Sequence, residues 1–148
     1  MRVGPTLEQI LKEYPDDVRI AYKQHPLPFH SNAMIAAEAA MAADAQGKFP
    51  QMHAKLMAPD RDLSRDKIVQ AAKDVGLDVD KFTKDLDNHA HKAAIDEMTN
   101  EAMRVGATGT PASFINGRYL SGAQPYEAFK KLVDEELAKV KGKEPAAK

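Results

Sequence analysis

Five histidines, His25, His30, His53, His89 and His91, and 22 Asp and Glu residues are the side chains here best suited to bind a metal or move protons. His89 and His91 are two apart, so on a helix they point in different directions. A helical zinc pair needs ligands spaced three or four apart, as in the His-Glu-x-x-His helix. His25 and His30 flank a Pro-Leu-Pro connector, where local hydrogen bonding is the expected role. Asp60, Asp62 and Asp66 form one acidic cluster and Asp78, Asp80, Asp85 and Asp87 another. Neither has the glycine and terminal glutamate of a calcium loop, and helix capping with solvated faces accounts for both. No Ser-His-Asp set, phosphate loop or Gly-x-Gly-x-x-Gly is present. The chain has no cysteine, so by itself it makes no disulfide, no thiolate metal site and no thiol nucleophile. No metal and no cofactor are expected.

The densest run of structural signals is Gly106-Ala-Thr-Gly-Thr-Pro-Ala-Ser-Phe-Ile-Asn-Gly-Arg-Tyr-Leu-Ser-Gly122. Gly106 closes a long helical pattern as a left-handed C′ residue. Pro111 restricts Thr110 to extended geometry. Ala112 to Ile115 is a short strand, Asn116-Gly117 the strongest two-residue hairpin signal, and Arg118 to Ser121 the returning strand. Pro125 then opens a helix. Taken alone, Thr110-Pro111 is a tight turn that starts a strand, since only about one X-Pro bond in twenty is cis.

Before this run, Leu7, Ile10, Leu11 and Tyr14 repeat at helical spacing behind Pro5. Val18, Ile20 and Tyr22 alternate with Arg19, Ala21 and Lys23, which predicts a strand over Val18–Gln24. His25-Pro-Leu-Pro-Phe29 is a rigid connector. An alanine-rich helix follows from about Ala33 to Gln46, capped by Ser31 or Asn32 and expected to be largely buried. Short helices carry Phe49, Met52 and Leu56, then Ile68 and Ala72 behind a Ser64 cap, then Phe82 and Leu86 behind an Asp78 cap. A longer helix is predicted from about Asn88 to Val105. The last, Pro125 to about Val140, puts Phe129, Leu132, Val133 and Leu137 on one face. Lys141 to Lys148 is a frayed polar tail. The methionines fall mostly on helices as core filling.

With 148 residues the chain has the length of one domain with a real core. A net charge of −1 gives no basic excess for nucleic acid and no like-charge block for a membrane surface. No apolar run approaches a transmembrane length, and no signal-peptide core is visible.

Two motifs carry a resemblance. Gly-Thr-Pro followed by Phe-Ile-Asn-Gly and Ser-Gly-Ala-Gln-Pro-Tyr, and upstream Tyr22-Lys-Gln-His-Pro-Leu-Pro-Phe-His30, resemble the DsbA-like family of thiol-disulfide oxidoreductases from about Gly4 to Leu137. The resemblance implies an α/β thioredoxin-like fold with an inserted helical subdomain. Residues 1-30 and 106-140 would form the thioredoxin part, 31-105 the helical insertion and 141-148 a tail. It also implies a cis Thr110-Pro111 bond, in a loop where Gly109, Thr110 and Pro111 hold an extended protein or peptide substrate by strand addition. In that family a low-pKa thiolate at a helix N-terminus attacks a disulfide sulfur, and a second thiol resolves the mixed disulfide. The Cys-x-x-Cys pair would precede Val3-Gly4-Pro5-Thr6-Leu7, where this chain has Met1, so it resembles a family member cut off just after its redox motif and its N-terminal strand.

Three readings follow. One is a piece of a disulfide oxidoreductase or isomerase, redox-inactive by itself. Another is a non-catalytic thioredoxin-like module that binds peptides or a partner. The third is a glutathione-using thioredoxin-fold enzyme. Without the central strand, the strands at Val18–Gln24 and Ala112–Ile115 are expected to lack partners on their inner edges, and a second molecule is expected to supply one, giving a homo-oligomer. As it stands the chain is expected in the cytoplasm; an upstream-extended form would be periplasmic or secreted.

Overall fold

The computed structural model describes residues 3–142. In chain order its elements are α1 (Gly4–Glu13), α2 (Ala33–Asp44), α3 (Phe49–Leu56), α4 (Arg65–Asp74), α5 (Val79–Asp87), α6 (Lys92–Arg104), β1 (Ala112–Ile115), β2 (Arg118–Ser121) and α7 (Tyr126–Lys141). They fall into two compact units. Among the described residues, one is the helical stretch Lys23–Thr108; the other joins residues 3–22 to residues 109–142.

In the helical unit α2 is the central element. Ala36, Ala37, Ala39, Ala40, Ala42 and Ala43 are all buried. Their small side chains let neighbouring helices approach closely, as the alanine run predicts. Met52 of α3, Ile68 and Ala72 of α4, and Phe82 and Leu86 of α5 complete this core. Asp78 caps α5 by accepting a hydrogen bond from the Lys81 amide at 3.0 Å. Ser64 precedes α4 but its side chain makes no cap bond. Instead Asp62 Oδ1 accepts from the Ser64 amide at 2.8 Å, rigidifying the approach to the helix. Asn32 likewise sits at the start of α2 with no side-chain cap bond.

The predicted helix start at Asn88 is corrected to Lys92. Residues 88–91 are spent closing α5. The His89 amide donates to Leu86 O at 3.1 Å and the Ala90 amide to Asp85 O at 2.9 Å. His89 takes a left-handed φ of 50°, and its Nδ1 lies 3.0 Å from Glu38 Oε1. Glu38 is buried at 3% exposure among the alanines of α2.

The second unit has a separate core. Val3, Ile10 and Tyr14 at one end of the chain pack with Phe129 and Val133 of α7, and Leu7, Val18, Ile115, Leu120 and Leu137 cover them. β1 and β2 pair antiparallel with Phe114 opposite Tyr119 and Ile115 opposite Arg118. Asn116 and Gly117 take φ of 47° and 85°, the positive values that a two-residue type I′ loop needs. One hairpin face sends Ile115 and Leu120 into the core. The other exposes Phe114 and Tyr119, their ring centroids 5.1 Å apart.

The predicted strand at Val18–Gln24 is not a strand in the structure: among the described residues the only sheet is β1 with β2. Its alternation is present only over residues 18–21, Tyr22 being exposed. Val18 and Ile20 are half-buried while Arg19 and Ala21 are exposed. Among the described residues no ladder forms there, and a ladder is what makes a segment part of a sheet. α7 also runs one residue past the predicted end, so the tail's Lys141 is helical; residues 143–148 lie outside the described stretch.

Phe82 has no exposed surface, so Phe82→Ala should lower the unfolding free energy of the helical unit by about 3–5 kcal/mol. Denaturant unfolding followed by far-UV circular dichroism measures this, and a loss below about 1 kcal/mol would contradict the core as described.

Candidate functional site

Gly109, Thr110 and Pro111 form the loop that leads into β1. Thr110 is exposed, and Gly109 and Pro111 are half-buried. The Thr110–Pro111 peptide is cis. The loop is tied to the hairpin on one side only. The Gly122 amide donates to Pro111 O at 2.9 Å, and Gly122 reaches it through a left-handed φ of 74°. Gln124 holds the far side of that return, donating from Nε2 to Ser121 O at 2.8 Å. The Thr110 amide and carbonyl make no hydrogen bond among the described residues. A fixed proline next to an exposed, unpaired backbone unit is a geometry that can accept an extended chain.

α1 is held by a polar cluster that sequence spacing alone did not single out. Tyr14, 8% exposed, donates to Asp134 Oδ1 at 2.5 Å. Lys130 Nζ donates to the Tyr14 oxygen at 2.6 Å and to Glu13 Oε1 at 2.5 Å, and Tyr126 donates to the other Glu13 oxygen. Lys130 also lies 5.0 Å from the centre of the Tyr14 ring. The one sequence signal was the four-residue spacing of Lys130 and Asp134 on α7; the partner on α1 is a tertiary contact. Burial, then the hydrogen bond to Asp134, push the Tyr14 hydroxyl above its ordinary value, with Lys130 opposing. The Tyr14 hydrogen bond, aided by Lys130, holds the Asp134 carboxyl below its ordinary range. Glu13 and then Tyr14 raise the Lys130 ammonium. On the hairpin, Arg118 pairs with Glu135 and, at 3.4 Å, with Glu136 of α7.

The histidines do not gather. His25 departs from the local hydrogen bonding expected of it: both ring nitrogens are shielded and make no hydrogen bond among the described residues. Pro26, next in sequence, offers no amide that could serve it. His30 is exposed with its ring 4.6 Å from that of Phe29. His53 stacks on Phe49 at 5.2 Å, and burial lowers its pKa. His91 Nε2 is 3.9 Å from Asp85. Among the described residues no group of three or more His, Asp or Glu is placed to hold a metal ion. In the acidic clusters Asp62 accepts from the Ser64 amide, Asp78 caps α5, Asp85 pairs with Lys81 at 2.9 Å and Asp87 with Arg65 of α4 at 2.6 Å.

A family model for the DSBA-like thioredoxin domain matches residues 6–134, and the chain belongs to that family. Its fold is the α/β thioredoxin-like DsbA fold, rich in helix with a small two-stranded sheet. Among solved structures it is similar to a thioredoxin-like oxidoreductase from Silicibacter pomeroyi DSS-3, with a TM-score of 0.83 and 25% identity over 93% of this chain and 78% of that one. The catalytic domain of Proteus mirabilis ScsC gives a TM-score of 0.78 and 27% identity over 93% of this chain and 75% of that one. Among curated sequences it is 32% identical to the Na(+)/H(+) antiporter NhaA 3 of Salinispora tropica, over 95% of this chain but 22% of the antiporter. The antiporter NhaA of Herminiimonas arsenicoxydans is 33% identical over 78% of this chain and 18% of its own length. The chain thus spans about a fifth of the curated relatives it matches. Among the described residues no helix is long and apolar enough to cross a membrane.

The Tyr14–Asp134 bond has a defined pH signature. Because the folded Asp134 carboxyl sits below its ordinary 3.8, its contribution is present above that value and is lost as pH falls through the folded value. Tyr14, raised above 10.0, keeps its contribution up to that pH and loses it as pH climbs further. Tyr14→Phe should therefore be less stable than the parent at neutral pH, with the gap narrowing as pH falls below 3.8 through the lowered Asp134 value. Urea unfolding of both proteins across this range measures it; a gap that does not change with acid would show that the bond is not made to an ionised carboxylate.

Proposed function

We propose that this chain supplies the substrate-holding part of a DsbA-like thioredoxin-fold domain that acts on protein thiols. Its relatives in the disulfide oxidoreductase and isomerase family exchange disulfides with protein substrates. The observation that carries the reading is the Thr110 backbone: exposed, unpaired among the described residues, and set beside Pro111 at the start of β1. An extended peptide laid along Gly109–Pro111 would complete its two hydrogen bonds. Main-chain pairing of this kind gives affinity without demanding a particular side chain, which suits a protein that meets many polypeptides.

The exchange step lies beyond this chain alone. It requires a thiolate that attacks a disulfide sulfur, with the other sulfur leaving as thiolate, and a second thiol that displaces the first. The sequence holds no cysteine. Serine and threonine do not cycle between oxidised and reduced forms, so none of the hydroxyls present replaces it. The chain by itself is a redox-inactive binding module.

Two measurements test this reading. In an insulin-reduction assay with dithiothreitol the chain should give no turnover above a protein-free control, and any turnover would overturn its inactivity. In an NMR titration with an unfolded, alkylated peptide, amide shifts should concentrate on Gly109, Thr110 and Ala112. Shifts confined to other surfaces, or no shifts at millimolar peptide, would overturn the loop's role.

A further inference from the structure

We propose that Asn116 is a modification site: it deamidates spontaneously, and the isoaspartate left at the hairpin tip releases the β1–β2 register and is a substrate for an isoaspartyl methyltransferase that uses S-adenosylmethionine. Deamidation needs a backbone nitrogen free to attack the carboxamide of the residue before it. The chain has four asparagines, Asn32, Asn88, Asn100 and Asn116. The structure separates them by the state of the amide that follows each. After Asn32 the Ala33 amide donates to His30 O at 3.0 Å, and after Asn88 the His89 amide donates to Leu86 O at 3.1 Å. After Asn100 the Glu101 amide lies inside α6. After Asn116 the Gly117 amide makes no hydrogen bond among the described residues. Asn116 and Gly117 are both exposed. Apart from its chain neighbours, no heavy atom lies within 4 Å of the place a Gly117 β-carbon would take. Gln46 also precedes a glycine, but its carboxamide is held at both ends. Its Nε2 donates to Asp78 O at 3.2 Å and its Oε1 accepts from the Asp78 amide at 2.9 Å.

The step needs no oxidant or reductant. The Gly117 nitrogen loses its proton to solvent base and bonds to Asn116 Cγ, and the carboxamide nitrogen leaves as ammonia. Water then opens the cyclic imide at one of its two carbonyls. Opening at Cγ leaves aspartate. Opening at the main-chain carbonyl breaks its bond to Gly117, so the backbone now runs through Cβ and Cγ as isoaspartate. Ring closure requires the tip to leave its folded conformation, and loop tips open locally at low cost. The product matters because a two-residue loop with both residues at positive φ sets the hairpin's register. Asn116 and Gly117 supply those φ values, 47° and 85°, and hold Ile115 opposite Arg118. Isoaspartate adds a carbon to the main chain inside that loop. The strands then lose the pairing that keeps Ile115 and Leu120 against the core. At the far end of the same pair the Gly122 amide bonds to Pro111 O at 2.9 Å, so the change reaches the loop that leads into β1.

Ageing the full chain in mildly alkaline buffer, with peptide mapping by mass spectrometry, tests the site. Asn116 should convert at least about tenfold faster than Asn32, Asn88 or Asn100, because only its following residue lacks a side chain to shield the attacking nitrogen. The aged chain should accept methyl groups from S-adenosylmethionine when isoaspartyl methyltransferase is added. Asn116→Gly leaves a Gly-Gly loop, which also suits a type I′ turn. It should keep the parent circular dichroism through ageing and accept no methyl groups. The Gly122 amide should lose hydrogen-exchange protection in the aged parent and keep it in aged Asn116→Gly. Conversion at Asn116 no faster than at the other asparagines would overturn the proposal, and that comparison uses the parent alone. So would methyl acceptance by aged Asn116→Gly at the parent level, or an aged parent whose Gly122 amide stays protected.

Discussion

The contact between α1 and α7 supports everything else in the unit that contains the candidate loop. An isolated two-stranded hairpin is marginally stable in water, and β1–β2 is the only ladder among the described residues. Its persistence depends on Ile115 and Leu120 finding a surface, and that surface is built by Ile10 and Tyr14 of the α1 segment with Phe129 and Val133 of α7. The unit joins segments from the two ends of the chain, so its core closes a long loop and carries the entropic cost of that closure. The polar cluster of Tyr14, Lys130, Glu13 and Asp134 fixes how the helices meet.

That support has a functional consequence. The loop at Gly109–Pro111 is short, and among the described residues its only backbone tie to the hairpin runs from Gly122 to Pro111. A hairpin held flat against α7 keeps this loop in one conformation, so a peptide pairing with Thr110 meets a preorganised backbone and pays less ordering cost. The helical unit is organised differently, around an alanine helix that draws its neighbours close. Among the described residues its buried acidic side chain, Glu38, meets His89, a residue in a left-handed conformation. A buried carboxylate without a partner would be costly, and the His89 ring supplies one at 3.0 Å.

Much of this was legible in the sequence where the signal was local. Asn116-Gly117 gave the hairpin with its strands at the observed positions, and Asp78 gave a working cap. The alanine run announced its burial, and Gly-Thr-Pro with Phe-Ile-Asn-Gly pointed to the family. Most of what failed depended on distant partners. The helix expected from Asn88 starts at Lys92 because His89 serves as the left-handed residue that closes α5, its amide and that of Ala90 bonding back to Leu86 and Asp85. Val18–Gln24 has strand periodicity, but periodicity reports side-chain burial and says nothing of a ladder partner. Tyr14 was recognised as apolar helix face, while its hydroxyl's role rests on Asp134 at the other end of the chain. His25, between a strand-like segment and two prolines, carries nothing in its sequence context to foretell that its ring is shielded without partners.

The central claim is that the only sheet among the described residues is the β1–β2 hairpin, with Arg19, Ile20 and Ala21 making no backbone hydrogen bond there. Amide hydrogen exchange read by NMR at low micromolar concentration tests it most directly. The amides of Ile10, Val133 and Gly122, each bonded within a helix or to Pro111, should be protected. Those of Arg19, Ile20 and Ala21 should exchange close to their unstructured rates. Strong protection at Arg19 or Ala21 would contradict the account, because neither amide has a backbone partner among the described residues.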